Sequence, residues 1–362
     1  MPVTDATAKA ARRAVKELLR VAPVTAHLAD RFVREGHDLF LVGGSVRDAL
    51  LGRLGADLDF ATDARPEQVQ ALVTPLGPTW TTGIAFGTVG VQVEVDGVAH
   101  RCEITTYRSD TYDGRTRKPE VDYGDTIEAD LGRRDFAVNA MAIQLPLDAA
   151  RPVVDPYGGL DDLTRRLLRT PIEAERSFDD DPLRMLRAAR FAAQLEFDVE
   201  AATRSAIVDM ASRLEIVSAE RVRDELTKLV LGTSPRRGLE LLVDTGLATH
   251  CLPELSRLAD TVDEHGRHKD VYAHTLTVLD QAIALEPSVE NGGGPDLVLR
   301  LAALMHDVGK PDTKKLHAGG KVSFHHHEVV GAKLTRVRLS ALRFPKDVVE
   351  DVTQLVALHL RF

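Results

Sequence analysis

Between Phe40 and Phe60 the chain reads FLVGGSVRDALLGRLGADLDF, and no other stretch restricts its fold as much. An apolar, strand-like run (Phe40, Leu41, Val42) enters Gly43-Gly44-Ser45. A short helical pattern follows, and then Asp57 and Asp59 alternate with Leu58 and Phe60. Two glycines let a backbone approach a phosphate closely, and the first turn of a helix presents unpaired N–H groups to it. Residues two apart in a strand project from one face, so Asp57 and Asp59 point together. Two carboxylates that close repel unless a cation lies between them, and Mg²⁺ prefers carboxylate and phosphate oxygens. Either half alone also fits a Gly-rich turn or an edge strand with solvated acids. Together they suit two-metal nucleotidyl transfer.

The chain of 362 residues is long enough for two or more domains. Cys102 and Cys251 lie far apart and fit no metal or disulfide spacing, which suits a reducing cytoplasm. No apolar run reaches the roughly eighteen residues of a membrane span, and the N-terminus lacks an apolar signal core, so no membrane partner is expected. A formal net charge of −9 does not advertise a nucleic-acid binder. Local basic clusters matter more: Arg133-Arg134, Arg165-Arg166-Arg169, Arg184-Arg187-Arg190 and Arg221-Arg223 are either solvated helix faces or the lining of an RNA groove.

Residues 1–35 read as helix, broken at Pro23. From 36 to about 150 short strands and turns take over; TVGVQVEV (88–95) and RCEITTY (101–107) alternate, which predicts a mixed sheet with helices. Glu103 sits in the second run, with Thr105 on the same face. A polar segment from Asp110 to Asp130 is long enough to be either functional or disordered. From Ser177 onward the pattern is almost entirely helical. Asp181-Pro182 reads as N-cap and N1 of a helix, and Ser218-x-x-Arg221 as the start of another. The closing HLRF lies inside a helical pattern, so the chain is expected to continue past Phe362.

The LVGGSVRDALLGR…DLDF signature resembles the polymerase-β nucleotidyltransferase superfamily, in its class II branch of tRNA CCA-adding enzymes and bacterial poly(A) polymerases. The resemblance covers roughly residues 36–362. It implies an α+β chain: a nucleotidyltransferase head (36–150), a helical neck and body that selects the nucleotide and binds RNA (151–262), and an HD domain (263–362). Asp57, Asp59 and Glu103 would hold the catalytic Mg²⁺ pair. Gly43, Gly44, Ser45, Arg47, Arg133, Arg134, Asp135 and Asn139 would bind the nucleotide. Arg forks match phosphate oxygens. The 110–130 segment would be the loop that serves when ATP replaces CTP, and DPYGGLDDL (155–163) a hinge freed by Gly158 and Gly159.

Asp181 and Arg184 stand one helical turn apart, an acceptor beside a forked donor. Such a pair can meet the amino group and ring acceptors of cytosine or adenine and reject uracil and guanine. In the resembled family a Glu-Asp-x-x-Arg sequence does this; here Asp180 replaces the Glu. Arg187 follows on the same helix, and Glu220–Glu225 resembles a motif that buttresses the neck. Further on, His274 and His306-Asp307 spell the HD pattern, with His327 as a further ligand for a transition metal, Mg²⁺ or Mn²⁺. The usual final aspartate of such a site has no evident counterpart.

The expected activity is addition of CCA to the tRNA 3′ end from CTP and ATP. A poly(A) polymerase or a CC-adding specialist uses the same head. A reading of another class is an HD metallophosphohydrolase whose head only binds nucleotide or RNA. Oligomeric state is not legible.

Overall fold

The computed structural model describes residues 18, 23–53, 55–84, 87–107, 109–111, 120–122, 126–146, 153–261, 271–288, 294–318 and 322–361. The chain forms two compact units, Met1–Asp180 and Asp181–Phe362.

The first unit is built on one sheet. Helix α1 (Val24–Arg34) leads into β1 (Leu39–Val42), α2 (Gly44–Leu50) and β2 (Asp57–Thr62). Then come α3 (Pro66–Val73), β3 (Thr79–Trp80), β4 (Thr88–Val95) and β5 (Val98–Thr106). The strands β6 (Ser109–Thr111) and β7 (Glu120–Asp122) pair with each other; α4 (Ile127–Gly132) and β8 (Ala142–Leu145) follow. The six-stranded order is β3-β4-β5-β2-β1-β8. Only β2 and β5 run parallel; the other neighbours are antiparallel. The alternation of the sequence is realised as two faces. Leu58, Phe60, Val89, Val91, Val93, Cys102 and Ile104 pack with Leu28 and Phe32 of α1 and Val69 and Val73 of α3 into the main core. The opposite face of β2, β4 and β5 carries Asp57, Asp59, Gln92, Arg101 and Glu103. Beside it a smaller core gathers Phe40, Val42, Ala61 and Tyr107 under Ile127 and Leu131 of α4.

Within the polar 110–130 segment, the described residues form the β6–β7 ribbon and the start of α4, where Thr126 Oγ1 accepts from the N–H of Ala129 at 3.3 Å; residues 112–119 and 123–125 lie outside the described residues. One expectation needs correction: Gly159 is not a source of freedom. It opens α5 (Gly159–Arg165), where a Cβ would collide with the carbonyl of Ala137 and stand 2.8 Å from Met141 Cγ. Asp155 clamps the same turn, accepting from Gly159 N–H at 2.6 Å and Leu160 N–H at 2.9 Å. Close packing, not hinge motion, demands this glycine. The unit closes with α6 (Ala174–Asp180).

The second unit is helical apart from short strand pieces, among them a ribbon pairing Lys315–Leu316 with Val322–Ser323. Its first half comprises α7 (Leu183–Leu195), α8 (Ala201–Met210), α9 (Ala219–Val230), α10 (Pro235–Asp244), α11 (Leu247–Cys251) and α12 (Pro253–Ala259), with α9 and α10 packed on α7. Helix α7 starts one residue later than the sequence predicts. Pro182 is its N-cap; Asp181 Oδ1 still accepts from Leu183 N–H at 3.2 Å. Ser218 does cap α9 by position, without a side-chain capping bond. The second half comprises α13 (Val271–Leu285), α14 (Leu297–Met305), α15 (Lys310–Thr313), α16 (His327–Ala341) and α17 (Lys346–Leu358). Buried Arg300 joins the halves: it is paired with Glu286 at 2.7 Å and donates to the carbonyls of Val230 and Gly232 at 2.9 and 3.0 Å, satisfying the end of α9. No helix among the described residues is long and apolar enough to cross a membrane.

Gly159→Ala should cost about 1–3 kcal/mol, the usual range for forcing atoms into a packed site. A thermal melt reads this directly; an unchanged melting temperature would show that the α5 turn relaxes freely.

Candidate active site and metal centre

The parallel pairing of β2 with β5 sets Asp57 opposite Arg101 and Asp59 opposite Glu103. All three acids therefore share the open face of the sheet. Ser45 ties the preceding turn to this row: its Oγ accepts from the Asp59 N–H at 3.0 Å, while the hydroxyl keeps a proton to donate. Asp59 retains exposed surface, yet strands and α2 crowd it. Burial pushes its carboxyl up, the Arg134 charge pulls it down, and Glu103 and Asp57 push it up again. Acids that repel in this way suit a cation. Their oxygens are not drawn to single-ion closeness, and Arg101 stands 3.3 Å from Glu103 instead.

The turn beside the acids is fixed from behind. Gly43 has φ 70°, and a Cβ there would stand 2.5 Å from Arg134 Nη1, so glycine admits the guanidinium. Arg133 and Arg134 converge on Asp130, at 2.6 and 3.0 Å, and the Asp130 side chain is wholly buried. Burial alone would raise the Asp130 carboxyl, but the two arginine charges and their hydrogen bonds hold it below its ordinary range. Arg47 donates to Asn139 Oδ1 at 2.6 Å and forks onto Asp48; Asn139 in turn donates to Asp135 at 2.9 Å. Arg47, Asp135 and Asn139 thus form a chain of hydrogen bonds that fastens α2 to the 137–139 turn. These three are tied to one another behind the turn, whereas Gly43, Gly44, Ser45 and Arg134 stand at the turn itself, beside the acids.

In the second unit, Asp181 does not rest on Arg184. Its Oδ2 pairs with Arg221 Nη2 at 2.7 Å, which explains the 220–225 motif as a brace for α7. Glu225 is buried against Arg190 at 2.7 Å, with Arg187 at 3.8 Å. Arg184 is itself buried, 7% exposed.

The histidines form the tightest cluster. Asp307 Oδ2 lies 3.0 Å from His306 Nε2 and 3.6 Å from His274 Nε2; Oδ1 lies 3.2 Å from His327 Nε2. His359, which the sequence reading missed, faces His327 with 3.2 Å between the two Nε2 atoms. His306, His327 and His359 each set Nδ1 2.7–2.8 Å from the carbonyl three residues earlier. If each Nδ1 carries the proton, the Nε2 lone pairs face the carboxylate, an arrangement that asks for a cation. Asp307 Oδ2 is buried without a hydrogen bond among the described residues, and Lys310 Nζ supplies positive charge at 2.8 Å. Burial would raise Asp307, but His306, His327 and Lys310 hold it well below the carboxylate range. Burial opposes charge on His327, yet the Asp307 bond raises it; His359 is lowered, chiefly by burial. The cluster thus meets the donor chemistry of a metal site. His274 comes from α13, His306 and Asp307 from the turn that ends α14, His327 from the start of α16 and His359 from the residue that caps α17, so only packing unites them.

The chain matches three family models: the poly A polymerase head domain over residues 39–169, the probable RNA and SrmB-binding site of polymerase A over 196–258, and the HD domain over 271–362. It is 36% identical over 326 residues to the A-adding tRNA nucleotidyltransferase of Deinococcus radiodurans, covering 88% of this chain and 68% of that protein. It is 41% identical over 224 residues to the CCA-adding enzyme of Geobacillus thermodenitrificans, covering 62% of this chain and 52% of that one. The crystal structure of the Bacillus stearothermophilus CCA-adding enzyme in complex with CTP matches with a TM-score of 0.63 at 31% identity, over 92% of this chain and 69% of that one. The fold and these relatives define a nucleotidyltransferase head followed by helical RNA-binding and HD regions. The chain belongs to the class II tRNA nucleotidyltransferase and poly(A) polymerase family. It spans about half the length of most of the first curated relatives it matches, 52% for the Geobacillus enzyme.

Asp130→Asn leaves Arg133 and Arg134 without their anion. Breaking a buried pair costs about 3–5 kcal/mol, less here because both arginines keep some solvent contact. Because the folded Asp130 carboxyl is depressed, its contribution is present above the unfolded value and lost as pH falls through the folded one. Urea melts should therefore show the variant destabilised at neutral pH and converging on wild type in acid; a gap that persists in strong acid contradicts the ion-pair account.

Proposed function

We propose that this chain is a template-independent tRNA nucleotidyltransferase that adds CCA to the tRNA 3′ end from CTP and ATP, releasing pyrophosphate. The observation that carries the reading is the row of Asp57, Asp59 and Glu103 beside the Gly43–Ser45 turn. In this reading Asp57, Asp59 and Glu103 hold Mg²⁺. Two such ions would supply charge neutralisation at the α-phosphate and activation of the attacking 3′-hydroxyl. The Gly43–Ser45 backbone and Arg134 receive the triphosphate, with Arg133, Asp135, Asn139 and Arg47 setting their positions. Asp181 and Arg184 choose the base, Arg221 orienting the Asp181 carboxylate and Arg187 standing one turn further along α7. The head is taken as residues 36–150, the neck and body as 151–262 and the HD domain as 263–362, in the cytoplasm, where the buried thiols Cys102 and Cys251 stay reduced.

A second reading has one finding behind it. The Deinococcus radiodurans relative, which overlaps 88% of this chain, is named an A-adding tRNA nucleotidyltransferase. tRNA substrates ending before CCA, after the first C and after the second C separate the two when each labelled nucleotide is offered singly. The CCA reading expects CMP on the first two and AMP on the third; the A-adding reading expects AMP on the third alone, and a poly(A) polymerase ignores CTP throughout.

The HD cluster is proposed as a second metal site, held by His274, His306, Asp307, His327 and His359, for Mg²⁺, Mn²⁺ or a transition metal serving phosphate-ester hydrolysis.

Asp59→Ala should abolish nucleotide addition in a chain that still folds. Arg184→Ala should lower kcat/KM for CTP and ATP more than for UTP and GTP, since a polar site rejects analogues that leave it unpaired; unchanged CTP:UTP ratios end the base-selection role. His359→Ala should weaken Mn²⁺ or Ni²⁺ binding about 10–100-fold by equilibrium dialysis, if His359 ligates as well as orients. It should not alter CTP incorporation.

A further inference from the structure

Trp80 is the chain's single tryptophan, and the register places it in the carboxylate row. Across the open face, Trp80 pairs with Gly90, Gly90 with Glu103, and Glu103 with Asp59. The indole covers Gly90, where a Cβ would collide with the ring atoms. Only glycine lets the aromatic plane settle this close to the sheet. Arg101, the next residue on the same face, sets its guanidinium 4.7 Å from the ring centroid while reaching Glu103 at 3.3 Å. Trp80 is partly exposed, and the Arg101 side chain is 60% exposed. An indole, a stacked guanidinium and a catalytic acid thus stand in line.

The direction of the chemistry gives this platform a use. Nucleotidyl transfer needs the attacking and leaving oxygens roughly opposite each other across the phosphorus. The Gly43–Ser45 turn and Arg134, which take the triphosphate, lie on the β1 side of the acids. The attacking strand must then enter from the β5 side, where β4 and β3 follow. We infer that Trp80 and Arg101 form the seat of the last nucleotide of the RNA acceptor. The indole stacks on its base, and the guanidinium pairs with its phosphate. Stacking accepts any base, because every base has a π-face, and so suits an acceptor whose terminal nucleotide changes from one addition to the next. Glu103 cannot serve Arg101 and a cation equally. Loading the acids therefore releases the guanidinium toward the RNA.

The inference rests on the nucleotidyltransferase reading, and one optical experiment tests the two apart. With a single indole, intrinsic fluorescence reports on Trp80 alone. A tRNA ending in its second C is titrated into the wild-type chain without nucleotide, while the anisotropy of a labelled copy measures binding. Quenching that follows the anisotropy curve, with no change on CTP alone, is the expected result. RNA bound with an unaltered emission spectrum and intensity, or equal quenching by CTP, overturns the seat and leaves the nucleotidyltransferase reading standing. RNA that does not bind at all overturns both. Trp80→Leu and Arg101→Gln should each raise KM for the RNA about tenfold, within the range of a lost base stack, with KM for CTP in place. Trp80→Phe should restore most of the loss. Melting temperatures identify a variant that merely unfolds, and failure of Trp80→Phe to rescue a folded chain counts against stacking.

Discussion

The parallel ladder between β2 and β5 is the contact on which the head depends. Every other neighbour pair in the sheet is antiparallel, and only this one brings Asp59 and Glu103 side by side from strands over forty positions apart in sequence. A slip of one residue would send Glu103 into the apolar core and Cys102 out to the acids. The register is secured on the buried face by Leu58, Phe60, Cys102 and Ile104, and on the open side by the Ser45 hydroxyl that receives the Asp59 N–H. The apolar side of the sheet thus sets the geometry of the polar side, and repulsion among the acids is tolerated because the core holds them in place.

What could be read beforehand divides along the same line. Gly43, Gly44, Ser45, Asp57 and Asp59 are close in sequence, and turn chemistry and strand alternation are local rules, so their juxtaposition was legible. Glu103 was legible from alternation combined with resemblance. The bracing of the site was not. Asp130 reads in sequence as the end of a polar loop, yet it is the buried anion that collects Arg133 and Arg134. Gly159 looks like a hinge until the Ala137 carbonyl is seen above it. His359 sits in a segment with no motif and enters the histidine cluster through the packing of α17 on α14 and α16. The resembled pattern ends in an aspartate, and here the structure supplies an imidazole.

Two strategies for holding charge coexist in the chain. At Glu286–Arg300 a buried pair is completed by the Val230 and Gly232 carbonyls, so the charges are spent on architecture. Along the open face of the head, charges stand only partly matched: Glu103 shares a solvent-exposed ion pair with Arg101, and Asp59 is pushed up by burial and by its acidic neighbours. The first kind of site stiffens a fold; the second keeps free energy in reserve for a ligand.

The Asp130 anchor also decides what its two arginines can offer. One carboxylate set between two guanidiniums cancels part of their charge and fixes the direction of both planes. An arginine that hangs alone in a pocket must be turned and ordered by each anion it meets, at a cost in side-chain freedom. Arg133 and Arg134 have had that ordering done by the fold. Any anion that reaches them meets fewer open charges than the sequence suggests, but meets them already aimed.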